Sequence, residues 1–586
     1  MAEPILRQRK KDAAEVPEQT EKPAHANHAA KSSSTGNLYV CVLLALGLLV
    51  YQFPNLAKVP LAFLGQSNEN KHLPGVRPSS VRTFSADIPK RDAVVEAFKH
   101  AWLAYERDAM GDDEYHPFSH MGTNLTSAGG IGYTVADSID TMLIMGLDEE
   151  YQRARTWIAE KLSFDRDANF NTFETTIRVM GGLLAAYHLS DQDPLFLEKA
   201  QELGDRILPT FETPSGLPLS LVNLGLKEGV PDMDNNGMMR TYIGKRLKGN
   251  VMAVLRAARM PHGLASIFLS PEEGRYMTAS IRLGSRGDSY YEYLIKQYLQ
   301  TNQTEDMYDD AMAGIHNYLV QTSISSKLTY TAELNPERTG HGELLVSIPL
   351  TLFEFDFNFD SSGWRLTPKQ DHLVCFLGGS LMLGATTSGA LVHPVSIPPR
   401  PEELSEAGRR DWKTGVELVK TCMATHETAT GLSPEIVHFR MPGDDLDAHV
   451  AATGEMPTDW YIKGSKPGSP PSLDARYILR PETVESLFLA FRLTGDTQYR
   501  DQGWAIFQAI EKHCRVASGG YASVLNVDQI PVEHEDKMET FLMSETLKYL
   551  YLLFTDTSVL PLDDYVFNTE AHPFPVFNPS FRTGFS

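Results

Sequence analysis

Cysteine is scarce in this chain: four occur in 586 residues, none of them in a CxxC pair. That excludes a disulfide-stapled scaffold and leaves no thiol-rich zinc site. Positive charge is also short. Lys and Arg number 53 against 75 Asp and Glu, a net charge of −22. Nucleic acid needs a basic footprint, so this balance argues against it. It does not exclude a neutral, hydroxyl-rich ligand such as a sugar. Several catalytic motifs are missing: GxSxG, the phosphate loop GxxxxGKS/T, HExxH and the EF-hand loop. No fixed-length repeat supports a solenoid. Apolar residues make up 42% of the chain, which fits a globular protein and excludes disorder.

Only one long apolar run is present, "NLYVCVLLALGLLVYQF", and no formal charge falls between Ser32 and Ala57. Basic residues gather before it, among them Arg7, Lys10, Lys11 and Lys31. Few follow it closely. The run predicts a single membrane span with the rest of the chain lumenal. A cleaved signal peptide fits less well, because the polar N-terminal region is long and no A-x-A site follows. The predicted layout is a cytosolic tail (1–37), a transmembrane signal anchor (38–57), a lumenal stem (58–89), a catalytic region (90–578) and a C-terminal tail (579–586). Asn124 in "NLT" and Asn302 in "NQT" are glycosylation acceptors by pattern.

From residue 90 onward, apolar residues recur at three- and four-residue spacing, the helical period. Two helix types alternate. One has a charged face, as in 149–163 and 496–514. The other is apolar nearly all round, as in 173–189, 482–493 and 539–554, and predicts burial. Outer amphipathic and inner buried helices predict an all-α fold, an α/α barrel. Long loops at 208–248 and 324–368 are candidates for function. "LTYTAEL" and "ALVHPVSI" predict short β-hairpins.

The buried helices nevertheless carry charge. Glu174 and Arg178 share a face of "NTFETTIRVMGGLLAAYHL" with Gly181 and Ala185. An N-terminal cap by Asn171 with a helix ion pair is one reading. Five further places repeat the pattern: Asp137 and Asp140; Arg286, Asp288 and Glu292; Glu435; Arg480, Glu482 and Glu485; and Glu545. Six such places are hard to explain as caps alone, and a carboxylate-lined cavity explains them all. Glycoside hydrolysis needs such a set: one carboxylic acid for the leaving oxygen and a second carboxylate to activate water. Further carboxylates can hold hydroxyls, or the water around calcium.

These segments, with "GLSPEIVHF" and "VFNTEAHPF", resemble glycoside hydrolase family 47, the class I α-1,2-mannosidases, from about residue 90 to 578. The resemblance implies an (α/α)7 barrel with short β-hairpins in its loops, a bound calcium ion and inversion at the anomeric carbon. It implies Glu174 as an acid acting through water, with Asp288, Glu435 and Glu482 as the other catalytic carboxylates. Asp137, Arg178, Arg286, His372, Arg480, Glu485, Phe541, Glu545 and Glu570 correspond to positions around the sugar or the calcium's water shell. Thr569 corresponds to the calcium ligand, and Cys375–Cys422 to the family's disulfide, which leaves Cys514 unpaired. Arg480 and the helix start beside Glu482 predict an ionised carboxylate suited to a general base. Arg286 resembles the endoplasmic-reticulum subgroup, which implies removal of mainly one mannose from a nine-mannose N-glycan on glycoproteins. The expected protein is a monomeric, single-pass type II enzyme of the endoplasmic reticulum or Golgi membrane. The alternative is a lumenal mannose-binding, degradation-targeting relative with weak hydrolysis. It would hold glycan without turnover.

Overall fold

Helices with a solvent face begin and end where their caps predict. Ile88–Ala109 is capped by Asp87, whose side chain accepts the Lys90 N–H. Asp193 caps Pro194–Ile207 and Ser405 caps Glu406–Ala424 in the same way. Gln498–His513 and Asp148–Glu160 are amphipathic as well. The structure, a computed structural model, describes residues 83–240, 249–258, 260–301, 305–337, 363–441, 444, 457–464 and 472–576. The expected tail, membrane segment and most of the stem (1–82), Asn302 and the C-terminal tail lie outside the described residues. No described helix is long and apolar enough to cross a membrane.

The inner helices have no solvent face. Tyr133–Met145, Phe376–Ala385, Glu482–Thr494 and Leu547–Phe554 are buried along nearly their whole length. They neighbour one another in turn. Tyr133–Met145 packs on Gly181–Leu189; Phe376–Ala385 packs on Asp288–Thr301 and on Glu482–Thr494; Glu482–Thr494 packs on Leu547–Phe554. The antiparallel hairpin Tyr565–Phe567/Pro573–Pro575 touches both Gly181–Leu189 and Asp288–Thr301, filling the gap between them. The inner helices and hairpin form a barrel with the amphipathic helices outside it.

All strand pairs among the described residues are short and antiparallel. "LTYTAEL" pairs as expected: Thr329–Thr331 with Val320–Thr322, and Glu333–Pro336 with Trp364–Thr367. "ALVHPVSI" forms no hairpin, only a bridge from Ala390 to Leu404. Pro394 and Pro398 interrupt any ladder there, because proline has no N–H to donate. Cys375 and Cys422 are joined, tying the start of one inner helix to the end of an outer one, with Cα atoms 5.9 Å apart. Cys514 is free and buried.

Candidate active site

Two stretches of π-helix carry key side chains. Thr175–Met180 holds Arg178, and Leu542–Thr546 holds Glu545. A π turn re-aims one helix face, and such turns concentrate at functional sites. The first follows a cap: Asn171 Oδ1 accepts the Glu174 N–H at 3.0 Å. Both readings of this stretch therefore hold, since the cap is present and the helix also enters a cavity.

The cavity, about 200 Å³, opens between the inner helices. Its first wall carries Glu174 and Arg178. Arg178 Nε donates to Glu174 Oε2 at 2.9 Å, and Nη1 donates to Glu570 and to Thr540 Oγ1 (3.2 Å). Asp137 Oδ2 stands 3.6 Å away. The guanidinium thus divides its charge among three carboxylates. The rings of Tyr133 and Phe541 flank it at 5.5 and 5.6 Å.

The second wall carries Arg480 and Glu482. Arg480 Nε donates to both Glu435 oxygens at 3.0 and 2.9 Å, and its Nη1 lies 3.7 Å from Glu482 Oε1. Phe541 sits 5.6 Å from this guanidinium too. Leu479, just before it, takes the left-handed backbone conformation (φ 66), held by the Thr546 hydroxyl on its carbonyl at 2.7 Å. Pro481 caps the helix and Glu482 is its first residue, where the apolar pattern predicts the start.

Burial decides the protonation of this wall. It pushes Glu482 up to about 7; Arg480 opposes the shift, and the nearby Glu435 and Asp288 add to it. This corrects the expectation that helix start and arginine would prevail. The loss of solvation outweighs them. Asp288, at the start of Asp288–Thr301, is also pushed up to about 7 by burial, with Ser289 N–H opposing. Glu482 Oε2 is buried with no hydrogen-bond partner among the described residues. His372 Nε2 is 3.9 Å from it, and burial holds that imidazole well below its usual range and so neutral.

The floor holds Glu292, Glu485, Glu545, Thr569 and Glu570. Thr569 Oγ1 donates to Glu292 Oε2 at 2.6 Å. Lys296 donates to Glu292, to Glu485 Oε1 at 3.5 Å and to the Asn568 carbonyl at 3.4 Å. Burial raises Glu485 to about 8 against the pull of Lys296, and raises Glu545 and Glu570 well above the usual carboxylate range, with Arg178 opposing and neighbouring carboxylates adding to it. One ammonium cannot neutralise this group. A hard cation beside Thr569, surrounded by water that the carboxylates accept, would. Among the described residues no three His, Cys, Asp or Glu side chains converge as a direct ligand set.

Most of the residues expected at the site meet in this cavity, Arg286 and Phe541 included. Arg286 has a left-handed backbone (φ 76) and packs over Phe268 at 5.7 Å. Three do not line it. Asp137 is fully buried behind Arg178, His372 lies behind Glu482, and Glu435 lies behind Arg480. Asn124 is half-buried, and its amide donates to Asp112 Oδ1 at 2.9 Å, so the fold already engages the nitrogen expected to carry glycan. Lys296 and His572 escaped sequence reasoning. Lys296 shares its helix with Asp288 and Glu292, and a lysine by itself reads as an ordinary surface residue. His572 stands in the quoted segment "VFNTEAHPF", two residues after Glu570, and drew no role of its own.

The sequence model of glycosyl hydrolase family 47 matches residues 97–244 and 241–576. The mannosyl-oligosaccharide 1,2-alpha-mannosidase of Candida albicans is 40% identical over 526 residues, covering 84% of each chain. The endoplasmic reticulum mannosyl-oligosaccharide 1,2-alpha-mannosidase of Homo sapiens is 39% identical over 521 residues, covering 84% of this chain and 64% of that one. The solved alpha-1,2-mannosidase from Trichoderma reesei superposes with a TM-score of 0.65 at 25% identity, covering 84% of this chain and all of that one.

Proposed function

The chain belongs to glycosyl hydrolase family 47, and from that membership and the carboxylate-lined cavity we propose that it is a mannosyl-oligosaccharide 1,2-α-mannosidase. It trims mannose from N-glycans in the secretory pathway. Its substrate is the high-mannose N-glycan of glycoproteins, and its main product is the glycan short of one mannose. Its barrel is the sevenfold one of the family, and the apolar run at 38–57 anchors it as a lumenal type II protein of the endoplasmic reticulum or Golgi membrane.

One observation carries the reading: Glu482 offers a buried carboxylate oxygen without a hydrogen-bond partner among the described residues, in a cavity lined by further carboxyls. Inverting hydrolysis needs a base to take a proton from water and an acid to protonate the departing oxygen. Glu482 fits the base. Held near 7, it is a stronger base than an ordinary carboxylate and is still ionised in a large share of molecules at neutral pH. The proton for the leaving oxygen comes from Glu174 and Asp288, which line the same cavity. Asp288, raised to about 7, is the better proton store, and Glu174 delivers through water. Arg178 and Arg480 fix the planes of their partner carboxylates and offer hydroxyl-binding donors.

Calcium fits the floor: Thr569 would hold it, and Glu292, Glu485, Glu545 and Glu570 would accept from its water shell. Bound there, the ion would polarise water and hold sugar hydroxyls. Arg286, strained at the cavity mouth, selects one glycan branch. The test is incubation of the full-length protein with a nine-mannose glycan and calcium, followed by mass and branch analysis. Loss of one hexose is expected. No release would sink the reading, and an equally fast run to five mannoses would sink the branch selection.

A further inference from the structure

Behind the first wall lies a charged cluster with no access to water. The side chains of Lys548, Asp140, His572 and Asp137 are all 0% exposed. They form a chain. Lys548 Nζ donates to Asp140 Oδ2 and to the Ala571 carbonyl, both at 2.9 Å. His572 Nδ1 meets the same Asp140 oxygen at 2.8 Å. Its other nitrogen, Nε2, faces Asp137 Oδ1 at 3.3 Å, a charge contact out of line for a hydrogen bond. Asp137 Oδ2 accepts the Ser544 hydroxyl at 3.0 Å and lies 3.6 Å from Arg178 Nη1. Arg178 in turn holds Glu174 and Glu570.

The backbone is arranged around this chain. The His572 N–H donates to Asn568 Oδ1 at 2.8 Å, and Asn568 Nδ2 donates to the Ile177 carbonyl at 3.0 Å, one residue before Arg178. A Cβ on Gly181 would come within 2.8 Å of the His572 ring. One on Gly182 would come within 1.9 Å of the Ala136 carbonyl and 3.2 Å of the ring. Each helical glycine costs about 1 kcal/mol relative to alanine. Here both are kept so that an imidazole and a neighbouring helix can enter. Apolar side chains of similar volume would hold such a region together as well as buried ions do. Keeping the ions therefore points to orientation rather than cohesion.

We propose that His572 is a positioning residue: acting through Asp137, it holds the Arg178 guanidinium, and with it Glu174 and Glu570, in the geometry the reaction uses. His572 does not line the cavity and touches no sugar. The inference rests on the mannosidase reading of that cavity.

The test uses full-length wild type, His572→Gln, Asp137→Asn and the double variant, with the nine-mannose glycan and calcium. Turnover is normalised to sites titrated with a tight-binding inhibitor. Each single variant is expected to lose about 30-fold or more in kcat with KM within about threefold, since a misplacement near 1 Å can cost about 100-fold. The double variant is expected to be no worse than about threefold below the weaker single, because both cut one chain. A purely structural staple would lower the melting midpoint and leave kcat per titrated site unchanged. Kcat within about twofold of wild type in both singles would overturn the inference alone. If His572→Gln fails to fold, the isosteric Asp137→Asn decides by the same criteria. A wild type that releases no mannose would overturn the mannosidase reading and this inference with it.

Discussion

Two arginines face each other across the cavity, both 5.6 Å from the ring of Phe541, and they are partnered in opposite ways. Arg178 is shared among Glu174, Glu570 and Asp137. Arg480 is gripped by one carboxylate, Glu435, through both of its oxygens. A guanidinium satisfied by a single fork has little left for a third group. Glu482, at 3.7 Å, therefore receives only part of its charge, and burial wins. Sharing makes the first wall a relay into the core. Saturation makes the second wall a closed pair beside the proposed base, Glu482. Two residues of one type thus hold their carboxylates in two different arrangements.

The most damaging change to this contrast is Glu482→Gln. It keeps the shape and removes the base, so kcat should fall by about 1,000-fold or more with inhibitor binding retained. Near-normal turnover would remove Glu482 from the mechanism.

Removing the proposed calcium tests the floor that both walls stand on. Chelator should abolish turnover, and added calcium should restore it. Stability should respond with a definite sign. Asp288, Glu482 and Glu485 ionise near 4 when unfolded and near 7, 7 and 8 when folded. Between pH 4.5 and 8 the native state keeps protons that the unfolded chain has released, so stability falls as pH rises. In chelator the melting midpoint should drop across that window, and calcium should flatten the slope. A metal-free midpoint that rose with pH would contradict the folded-state assignments.

Glu435→Gln addresses the saturated arginine directly. With its fork broken, Arg480 is free to stabilise ionised Glu482, and a nearby negative charge is lost. The acid limb of kcat/KM should move to lower pH while turnover survives. Complete loss at every pH would instead make Glu435 a reacting group.

The mildest test is Gly182→Ala. Alanine favours a helix by about 1 kcal/mol, yet here its methyl meets the Ala136 carbonyl. The melting midpoint should fall, by an amount matching about 1–3 kcal/mol of overpacking. A rise would mean that the two helices can part at no cost.

What the sequence displayed depended on contrast along the chain. Amphipathic helices such as Pro194–Ile207 were legible, because one face alternates with the other. Phe376–Ala385 was missed, because a helix buried all round has no such contrast and three glycines dilute its propensity. The carboxylates stood out for a related reason: charges inside apolar runs break a pattern. His572 broke none, sitting in a short loop whose partner aspartates are more than 400 residues away. The π turns left no local mark, since a register change of one residue is decided by packing. Burial at Glu482 was also invisible, and so the upward pull on its carboxyl was not anticipated.

The hairpin that fills the gap in the barrel has a further consequence, one of timing. Residues 565–575 bring Thr569, Glu570 and His572, and a ribosome makes them after every other residue that lines the cavity. Until they arrive, the floor carboxylates on the inner helices have no Thr569 beside them and Arg178 has no Glu570. The proposed site is therefore incomplete through almost the whole of the chain's synthesis. A chain stopped just before the hairpin would carry both arginines and the base, and still have no complete site.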